Sequence, residues 1–347
     1  MPRHLKKLTQ NITHMVQRRP AFLMAEILLT YHCTQRCLQC NIPQRASAEN
    51  IISLKNFSLI LERLANYGTH GIVLSGGEPL LHPQIETLIE YTAEKGFLYR
   101  HILSNLYISD LKIKRLTPLL LNHKINLTCS FDGLDGIADV IRGSKHTAET
   151  VMANMEYLDG QNKKMGRPIK TSANIVISAL NLEQIPAMLD YLEQLGWMTN
   201  VDIYRNSSVN HNQVDAMVIE NNGLFQKTIE LVKASPVVVT PPWILDGYRS
   251  FLQDDFAKNC PYLSSPALGS KFFVHPNGDV KVCIGEAAGN LLEQTPEQIF
   301  SSETWQNKIK EFKNCRGCWN TCYTPAAKIS NYLTWQDVKN ILHMVKK

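Results

Sequence analysis

The stretch "LLTYHCTQRCLQCNIPQ", residues 28–44, places three of the chain's nine cysteines within eight positions, at Cys33, Cys37 and Cys40. On a helix this spacing would form one apolar stripe, and free cysteine packs well in protein cores. The neighbouring residues are polar, however, and the stretch follows an apolar run that is typical of a buried strand. The polar neighbours are Thr34, Gln35, Arg36, Gln39 and Asn41. We therefore expect a loop at the carboxyl end of a strand, in which the three thiols share one site.

The number of thiols in this loop indicates which kind of metal site it forms. A structural zinc ion takes four ligands. His32 is a candidate fourth ligand, but it adjoins Cys33, and adjacent side chains on a strand point apart. Three thiolates around a cubane iron–sulfur cluster leave one iron without a protein ligand, and an open coordination position is a feature of reactive sites.

The composition is that of an ordinary globular protein, with 44% hydrophobic and 19% charged residues. No apolar run approaches the roughly 20 residues that cross a bilayer, and the N-terminus lacks the continuous apolar segment of a secretory signal. The sequence therefore predicts a cytoplasmic protein, in which clustered cysteines bind metal or react rather than form disulfides. No basic strip is interleaved with aromatic residues, so nucleic acid is not an expected partner.

Residues 1–24 are predicted to form a basic helical extension. Part of the net charge of +5 is concentrated there, at Arg3, Lys6, Lys7, Arg18 and Arg19. Four apolar residues would share one helical face, namely Leu5, Leu8, Ile12 and Met15. We expect a short amphipathic helix packed on the body, with contact to a membrane surface as the alternative.

Residues 25–205 alternate between strand and helix patterns. Six apolar runs read as strands, at 25–32, 70–77, 98–105, 125–133, 171–178 and 200–205. Repeated β-α units predict a parallel sheet that is covered by helices, and right-handed crossovers place those helices outside. The predicted fold class is α/β, a partial (β/α)6 TIM-like barrel whose functional groups lie at the carboxyl ends of its strands.

The remainder of the chain changes character. Residues 206–258 are interpreted as a bridging segment in which 236–248 look irregular, and residues 259–325 as a small cysteine-rich domain. Residues 271–283 predict a hairpin with Asn277 and Gly278 at its turn. The second cysteine group consists of Cys260, Cys283, Cys315, Cys318 and Cys322. Residues 326–347 are predicted to be a helical tail.

Polar groups follow three further predicted strands. The second ends "SGGEP", residues 75–79, whose glycines permit close approach of a ligand and whose Glu78 can accept from an ammonium group. The third ends at Ser104 and Asn105. The fourth ends with Ser130 and Asp132 on one face, and Cys129 on the other face is expected to be a buried thiol. Arg142 follows and can pair with a carboxylate through two hydrogen bonds. Each feature alone is equally compatible with a surface turn.

Together these residues resemble the radical S-adenosylmethionine (SAM) enzymes. Cys33, Cys37 and Cys40 match the family's C-x3-C-x2-C motif. The resemblance implies a 4Fe–4S cluster whose open iron binds the amino and carboxylate groups of SAM. Reductive cleavage of SAM then yields methionine and a 5′-deoxyadenosyl radical that abstracts a hydrogen atom from the substrate. Gln39 departs from the family, which usually has an aromatic residue before the third cysteine, near the adenine.

The resemblance also implies the residues that bind SAM. Ser75, Gly76, Gly77 and Glu78 match the motif that holds the amino group of SAM. Ser104 and Asn105 lie where the family makes polar contacts to SAM. Ser130, Asp132 and Arg142 match the groups that hold the ribose and the carboxylate.

The second cysteine group resembles the SPASM or shorter twitch module, which holds auxiliary 4Fe–4S clusters. Five cysteines suit one auxiliary cluster, with Cys260, Cys283, Cys315 and Cys318 as its ligands. Cys322 is then an alternative ligand, a hydrogen donor to a substrate radical or a packed thiol. Zinc in place of iron is the competing interpretation.

The sequence thus predicts a radical SAM enzyme with an auxiliary cluster. The barrel begins near residue 26 and leaves no room before it for a peptide-binding domain, so we expect a small-molecule biosynthetic substrate that is oxidised, epimerised or rearranged. A peptide-modifying enzyme and a lipid substrate are the alternatives, and a non-enzymatic, metal-braced binding protein is the alternative from another class. The basic charge suits a flavodoxin or ferredoxin-type reductant.

Overall fold

The computed structural model describes residues 3–16, 20–21, 23–206, 212–254, 271–283, 285–312 and 319–321. Within the first helix it describes the side chains of Lys7 and of residues 9–14. The whole predicted tail, residues 326–347, and most of the cysteines of the second group lie outside these ranges. All structural statements below concern the described residues.

Six parallel strands form the predicted barrel sheet, in the spatial order β6-β5-β4-β3-β2-β1. The strands are β1 (Met24–Thr30), β2 (Gly71–Gly76), β3 (Tyr99–Ser104), β4 (Asn126–Ser130), β5 (Thr171–Ile177) and β6 (Met198–Ile203). The helices between them are α2 (Leu54–Tyr67), α3 (Ile85–Glu94), α4 (Asp110–Asn122), α5 (Asp135–Arg142), α6 (Thr147–Lys164) and α7 (Ile185–Leu195). The predicted α/β fold class with a partial barrel is confirmed.

Helix α2 shows how local sequence sets these elements. Ser53 begins it, and its side chain accepts a hydrogen bond from the backbone N–H of Asn56. Gly68 ends it with a φ of 88°, a conformation that glycine adopts without strain. The apolar side chains recur every three or four positions and are buried against the sheet, at Phe57, Ile60, Leu61 and Leu64.

The first strand of the predicted hairpin pairs in parallel with β1, a pairing that the sequence did not predict, and so joins the hairpin to the barrel. Strand β7 (Lys271–Val274) pairs with β1 in the register Met24–Lys271 to Ile27–Val274. Strands β8 (Asp279–Lys281) and β9 (Gly289–Asn290) follow it in antiparallel order. The predicted turn is confirmed, because Gly278 has a φ of 88° and its N–H donates to the carbonyl of His275. Helices α10 (Pro296–Ser301) and α11 (Glu303–Glu311) complete this part.

The bridging segment is more regular than predicted. Helix α8 (Gly223–Ala234) contains residues 225–234, whose sequence favours a helix, and α9 (Pro242–Leu252) overlaps the region that was expected to be irregular. Pro242 lies in the first turn of α9, where its missing N–H costs no hydrogen bond. The proline that suggested irregular structure is therefore a helix-start signal. None of the described helices has the length and apolar character needed to cross a membrane.

The N-terminal helix α1 (Arg3–Val16) contacts the body through polar side chains. Lys7, Asn11 and His14 are buried and donate to the backbone carbonyls of Thr69, Gly68 and Tyr67 respectively. They cap the carboxyl end of α2, where carbonyl groups lack intrahelical partners. Ile12 of the predicted apolar face is half-buried, and the side chains of Leu5, Leu8 and Met15 lie outside the described set.

Polar side chains line the inner face of the sheet, where closed barrels usually pack branched apolar residues. Glu26 accepts a hydrogen bond of 2.6 Å from the hydroxyl of Ser75 and forms an ion pair with Lys271. His101 contacts the hydroxyl groups of Tyr99, at 2.8 Å, and of Thr128, at 2.6 Å. The barrel interior therefore holds titratable groups away from bulk water.

The burial of His101 makes folding depend on pH. Burial, with a smaller effect of Lys271, lowers its pKa to about 4, whereas an unfolded histidine titrates near pH 6.5. Between these values the unfolded chain binds the extra proton, so the contribution of His101 to the free energy of unfolding should rise by roughly 2–3 kcal/mol from pH 4 to pH 7. Urea denaturation of wild type and His101→Gln across this range should show the dependence weakened in the variant. The exposed His146→Gln is the control, and equal pH profiles for wild type and His101→Gln would contradict the prediction.

Candidate active site

The three cysteines of the first group lie in a loop at the carboxyl end of β1, as predicted. Cys33, Cys37 and Cys40 are half-buried. The end of α5 holds this loop through backbone hydrogen bonds from Arg36 to Arg142, at 3.0 Å, and from Leu38 to Ile141, at 2.9 Å. The loop is therefore fixed to the helix that follows the fourth strand.

Asn212, in the bridging segment, holds the other side of the loop and was not anticipated from the sequence. Its backbone N–H donates to the carbonyl of Gln39 at 2.9 Å, and its side-chain amide donates to the carbonyls of Leu38 and Cys40. The turn between the second and third cysteines is thus fixed by one residue about 170 positions later. An asparagine in a polar loop offers no sequence signal for such a contact.

The paired glycines at the end of β2 fit against the cysteine loop itself. A Cβ on Gly76 would lie 2.2 Å from the carbonyl oxygen of Thr30, and one on Gly77 would lie 2.3 Å from that of His32. The N–H groups of Gly77 and Glu78 donate to the same two carbonyls, at 2.7 and 2.8 Å. The close approach that was predicted for a ligand is therefore already required by the backbone of the loop.

Glu78 has partners other than those predicted. It is fully buried, and its carboxylate accepts hydrogen bonds from the N–H groups of Leu80 and Asn105 and from the hydroxyl of Ser104. Burial raises its pKa to about 7, although these donors oppose the rise. The carboxylate ties the end of β2 to the end of β3. Its predicted contact with the SAM ammonium group stays a prediction, and the structure adds that the carboxylate also has three donors within the protein.

Two other side chains that were predicted to bind SAM, those of Ser75 and Ser104, also have partners within the protein. The hydroxyl of Ser75 points into the barrel and donates to Glu26, and that of Ser104 donates to Glu78. Both side chains are therefore engaged within the protein. Asn105, by contrast, lies against the first cysteine, with its side-chain amide 3.5 Å from the sulfur of Cys33.

Asp132 and Arg142 form a buried ion pair beside the cysteine loop. Their closest oxygen and nitrogen atoms are 2.5 Å apart, and the second carboxylate oxygen of Asp132 accepts from the N–H of Val176 at 2.8 Å. Arg142 also lies 3.7 Å from the sulfur of Cys37. Burial opposes the charge of Arg142, but Asp132 and this sulfur hold its pKa above the ordinary value.

The predicted contacts of Asp132 with the ribose and of Arg142 with the carboxylate of SAM stay predictions. The structure shows that both side chains also have partners within the protein, since each oxygen of Asp132 is engaged and the guanidinium of Arg142 pairs with it. Ser130 is half-buried at the end of β4, and its role also stays a prediction. Cys129 is fully buried, as expected from the alternation of side chains along β4.

Removing one partner of the buried pair should destabilise the protein strongly. Arg142→Leu leaves the Asp132 carboxylate without its countercharge, and we expect the free energy of unfolding to fall by about 3–5 kcal/mol. The double variant Asp132→Asn/Arg142→Leu should recover part of this loss, because no buried charge remains. Urea denaturation of both variants checks the prediction, and a single variant as stable as wild type would contradict it.

The chemistry of the loop fits an iron–sulfur cluster with SAM. Burial raises the pKa of Cys33 to about 12 and that of Cys40 above the ordinary value, so bare thiolates are disfavoured and a metal would compensate their charge. Asn105, Arg142 and the N–H of Gln35 offer hydrogen bonds to the sulfurs. Three buried oxygens in the loop have no partner, those of the side chains of Gln35, Gln39 and Asn41. They are acceptors suited to the donors of a bound nucleoside.

In the described part of the chain, no three cysteine, histidine or carboxylate side chains converge on a point where one metal ion would sit. A cubane cluster does not require such convergence, because each thiolate binds a different iron.

The second cysteine group is described only in part. Cys283 is half-buried and follows β8, whereas Cys260, Cys315, Cys318 and Cys322 lie outside the described residues. The assignment of ligands in this group and the role of Cys322 remain predictions. The segment between Cys318 and Cys322 is anchored, since the indole N–H of Trp319 donates to the carbonyl of Ile244 at 2.8 Å.

Two residues at the same edge of the sheet were missed in the sequence. His275 ends β7 and is hydrogen-bonded to the hydroxyl of Tyr31, which follows β1 two positions before Cys33. Burial, with smaller effects of Lys281 and Arg45, lowers the pKa of His275 to about 4. Because β7 was not expected beside β1, no signal placed His275 near the cysteine loop.

Comparison with protein-family models places two families along the chain. Residues 27–192 match the radical SAM superfamily, and residues 266–320 match the SPASM iron–sulfur cluster-binding domain. PqqA peptide cyclase of Methylorubrum extorquens is 26% identical over 340 residues, which cover 90% of this chain and 82% of that protein. Fe-coproporphyrin III synthase of Methanosarcina barkeri is 25% identical over 167 residues, and the match covers 48% of this chain and only 40% of that protein.

Solved structures share the fold. SuiB of Streptococcus suis superposes with a TM-score of 0.66 at 15% identity, covering 89% of this chain and 76% of that one. The enzyme anSMEcpe with bound AdoMet and a peptide gives a TM-score of 0.59 at 15% identity, covering 93% and 99% of the two chains. With the cysteine loop at the end of β1 and both family models matched in order, the chain belongs to the radical SAM superfamily and carries a C-terminal SPASM domain.

Proposed function

We propose that this radical SAM enzyme modifies a peptide, abstracting a hydrogen atom from an amino-acid residue. The observation that carries the proposal is the similarity to PqqA peptide cyclase, which extends over 90% of the chain and so includes both the barrel and the SPASM domain. The expectation of a small-molecule substrate rested on the position at which the barrel begins. That position does not bear on a peptide that another protein delivers, so the peptide alternative is favoured.

The cofactors are SAM, the 4Fe–4S cluster of the first cysteine group and auxiliary clusters of the SPASM domain. The chemistry that a cluster on Cys33, Cys37 and Cys40 supplies is the reductive cleavage of SAM. The chain itself holds the cysteine loop rigidly between α5, Asn212 and the glycines of β2. Asn105 and Arg142 direct N–H groups at the sulfurs, which stabilises the reduced cluster. The basic chain suits an acidic flavodoxin or ferredoxin-type donor.

A deuterium-transfer experiment tests the substrate class. The reconstituted enzyme, with dithionite and SAM, would be incubated with a peptide pool from cells grown on deuterated medium, or with the small-molecule fraction of the same cells. We expect deuterium in 5′-deoxyadenosine from the peptide pool and background levels from the small molecules. The reverse pattern would overturn the peptide proposal, as would absence of transfer from the peptide pool.

A further inference from the structure

Asp202 is an inward-facing carboxylate at the carboxyl end of β6 that none of the preceding roles uses. Its neighbours Val201 and Ile203 are buried against the helices, so alternation along the strand directs Asp202 to the inner face. Asn200 lies on the same face, and its amide contacts the side chain of Asn174 on β5 at 3.4 Å. Asp202 is half-buried and lies at the edge of the sheet where the cysteine loop lies.

The partners of Asp202 are neutral. One carboxylate oxygen accepts from the N–H of Ile203 at 2.9 Å, and the other lies 3.3 Å from both the N–H and the hydroxyl of Thr321. No lysine, arginine or histidine of the described residues forms an ion pair with it, whereas the inward carboxylates of Glu26 and Asp132 each pair with a cation. A half-buried carboxylate without a countercharge retains a strong attraction for a cation.

Contacts link Asp202 both to the first cysteine group and to residue 321. In the sheet it is paired with Val176, whose N–H donates to Asp132, and Asp132 holds the Arg142 that contacts the sulfur of Cys37. On its other side Asp202 contacts Thr321, in the segment between Cys318 and Cys322. Asp202 is therefore linked through the sheet to the cysteine loop, and it directly contacts the described segment 319–321.

We propose that Asp202 determines substrate specificity by binding a cationic group of the substrate, an ammonium or a guanidinium. The inference rests on the proposed function, in which the group belongs to a lysine or arginine side chain of a peptide. A charge-assisted hydrogen bond to a partly buried carboxylate is among the stronger polar contacts in proteins. The amides of Asn200 and Asn174 lie on the same face two positions earlier on β6 and β5, and they offer neutral donors and acceptors to the same ligand.

The test measures binding of matched probes to the reconstituted, SAM-bound enzyme by calorimetry. The peptide probes are the capped tripeptides Gly-Lys-Gly and Gly-norleucine-Gly, and the small-molecule probes are glucosamine and glucose. Wild type should bind the lysine peptide about ten-fold more tightly than the norleucine peptide, a difference of about 1.4 kcal/mol. Asp202→Asn should abolish this preference, and added salt should reduce it in wild type.

Two control variants separate binding from structure. Asp215→Asn removes an exposed carboxylate that contacts Asn206, and Thr321→Val removes the hydroxyl partner of Asp202. Both should keep the preference for lysine. Wild type that prefers the cationic member of neither probe pair, lysine over norleucine or glucosamine over glucose, would overturn the inference. So would an Asp202→Asn variant that keeps the lysine preference, or one that loses auxiliary iron together with affinity for both peptides.

The comparison of peptide probes with small-molecule probes also distinguishes this inference from the proposed function. A preference for glucosamine over glucose with none between the two peptides would keep Asp202 as the cation-binding residue and overturn the peptide substrate. Deuterium transfer from the peptide pool without any preference for cationic probes would keep the peptide substrate and overturn Asp202 as the cation-binding residue.

Discussion

Replacing Cys33, Cys37 and Cys40 together by alanine should remove one iron–sulfur cluster and abolish reductive cleavage of SAM. The three thiols are the protein ligands that the loop at the end of β1 provides, and SAM requires the open iron of that cluster. Iron bound by the SPASM domain should remain, so total iron should fall without vanishing. Iron and sulfide content, together with a 5′-deoxyadenosine assay after reduction by dithionite, measures both effects.

Cys129→Ala is the matched control for this triple variant. Cys129 is fully buried at the end of β4 and faces away from the loop, so its replacement should leave iron content and SAM cleavage unchanged. A triple variant with the iron content of wild type would show that the cluster lies elsewhere.

Gly77→Ala should disrupt the cysteine loop without touching a cysteine. The added Cβ would lie 2.3 Å from the carbonyl oxygen of His32 and 2.6 Å from that of Tyr31, distances at which backbone must move. We expect a loss of roughly 2–4 kcal/mol in the free energy of unfolding, together with poor cluster loading. Urea denaturation of the apoprotein and iron content after reconstitution test the two effects separately.

Gly136→Ala provides the comparison, because it makes the same change within helix α5, where a Cβ would meet nothing within 4 Å. Alanine favours helix over glycine by up to about 1 kcal/mol, so this variant should be as stable as wild type or slightly more so. If Gly77→Ala behaved like Gly136→Ala, the close packing of the glycine motif on the loop would be wrong.

The barrel and the location of the site were predictable because they depend on local periodicity. Alternating apolar residues define each strand, and the carboxyl ends of parallel strands meet at one edge, which brings Asn105, Asp132 and Arg142 close to the cysteines. The alternation of side chains along the fourth strand likewise predicted that Cys129 lies in the core, where the structure has it.

The partners of individual polar groups were not predictable. The carboxylates of Glu78 and Asp132 were predicted to bind SAM, and the structure shows in addition that they accept hydrogen bonds from Ser104 and Val176 respectively. The pairing of β7 with β1, which brings His275 to Tyr31, joins segments separated by 244 residues. Such pairings depend on how the whole sheet closes, and no residue pattern within either strand specifies them.

The substrate was the least predictable feature. The small-molecule expectation used chain length before the barrel, a property that is unrelated to the chemistry of the site. The residues that face a substrate, Asp202 among them, lie on strands whose alternation is visible in the sequence. Their freedom to bind becomes apparent only when their partners are known.

The most direct test of the account is an anaerobic assay of the reconstituted wild-type protein with dithionite and SAM, in which 5′-deoxyadenosine and methionine are quantified. We predict that both products form in equal amounts and that neither forms without reductant. A protein whose first cysteine group is fully loaded with iron and sulfide, yet which forms no 5′-deoxyadenosine, would contradict the assignment of this site as a SAM-cleaving centre.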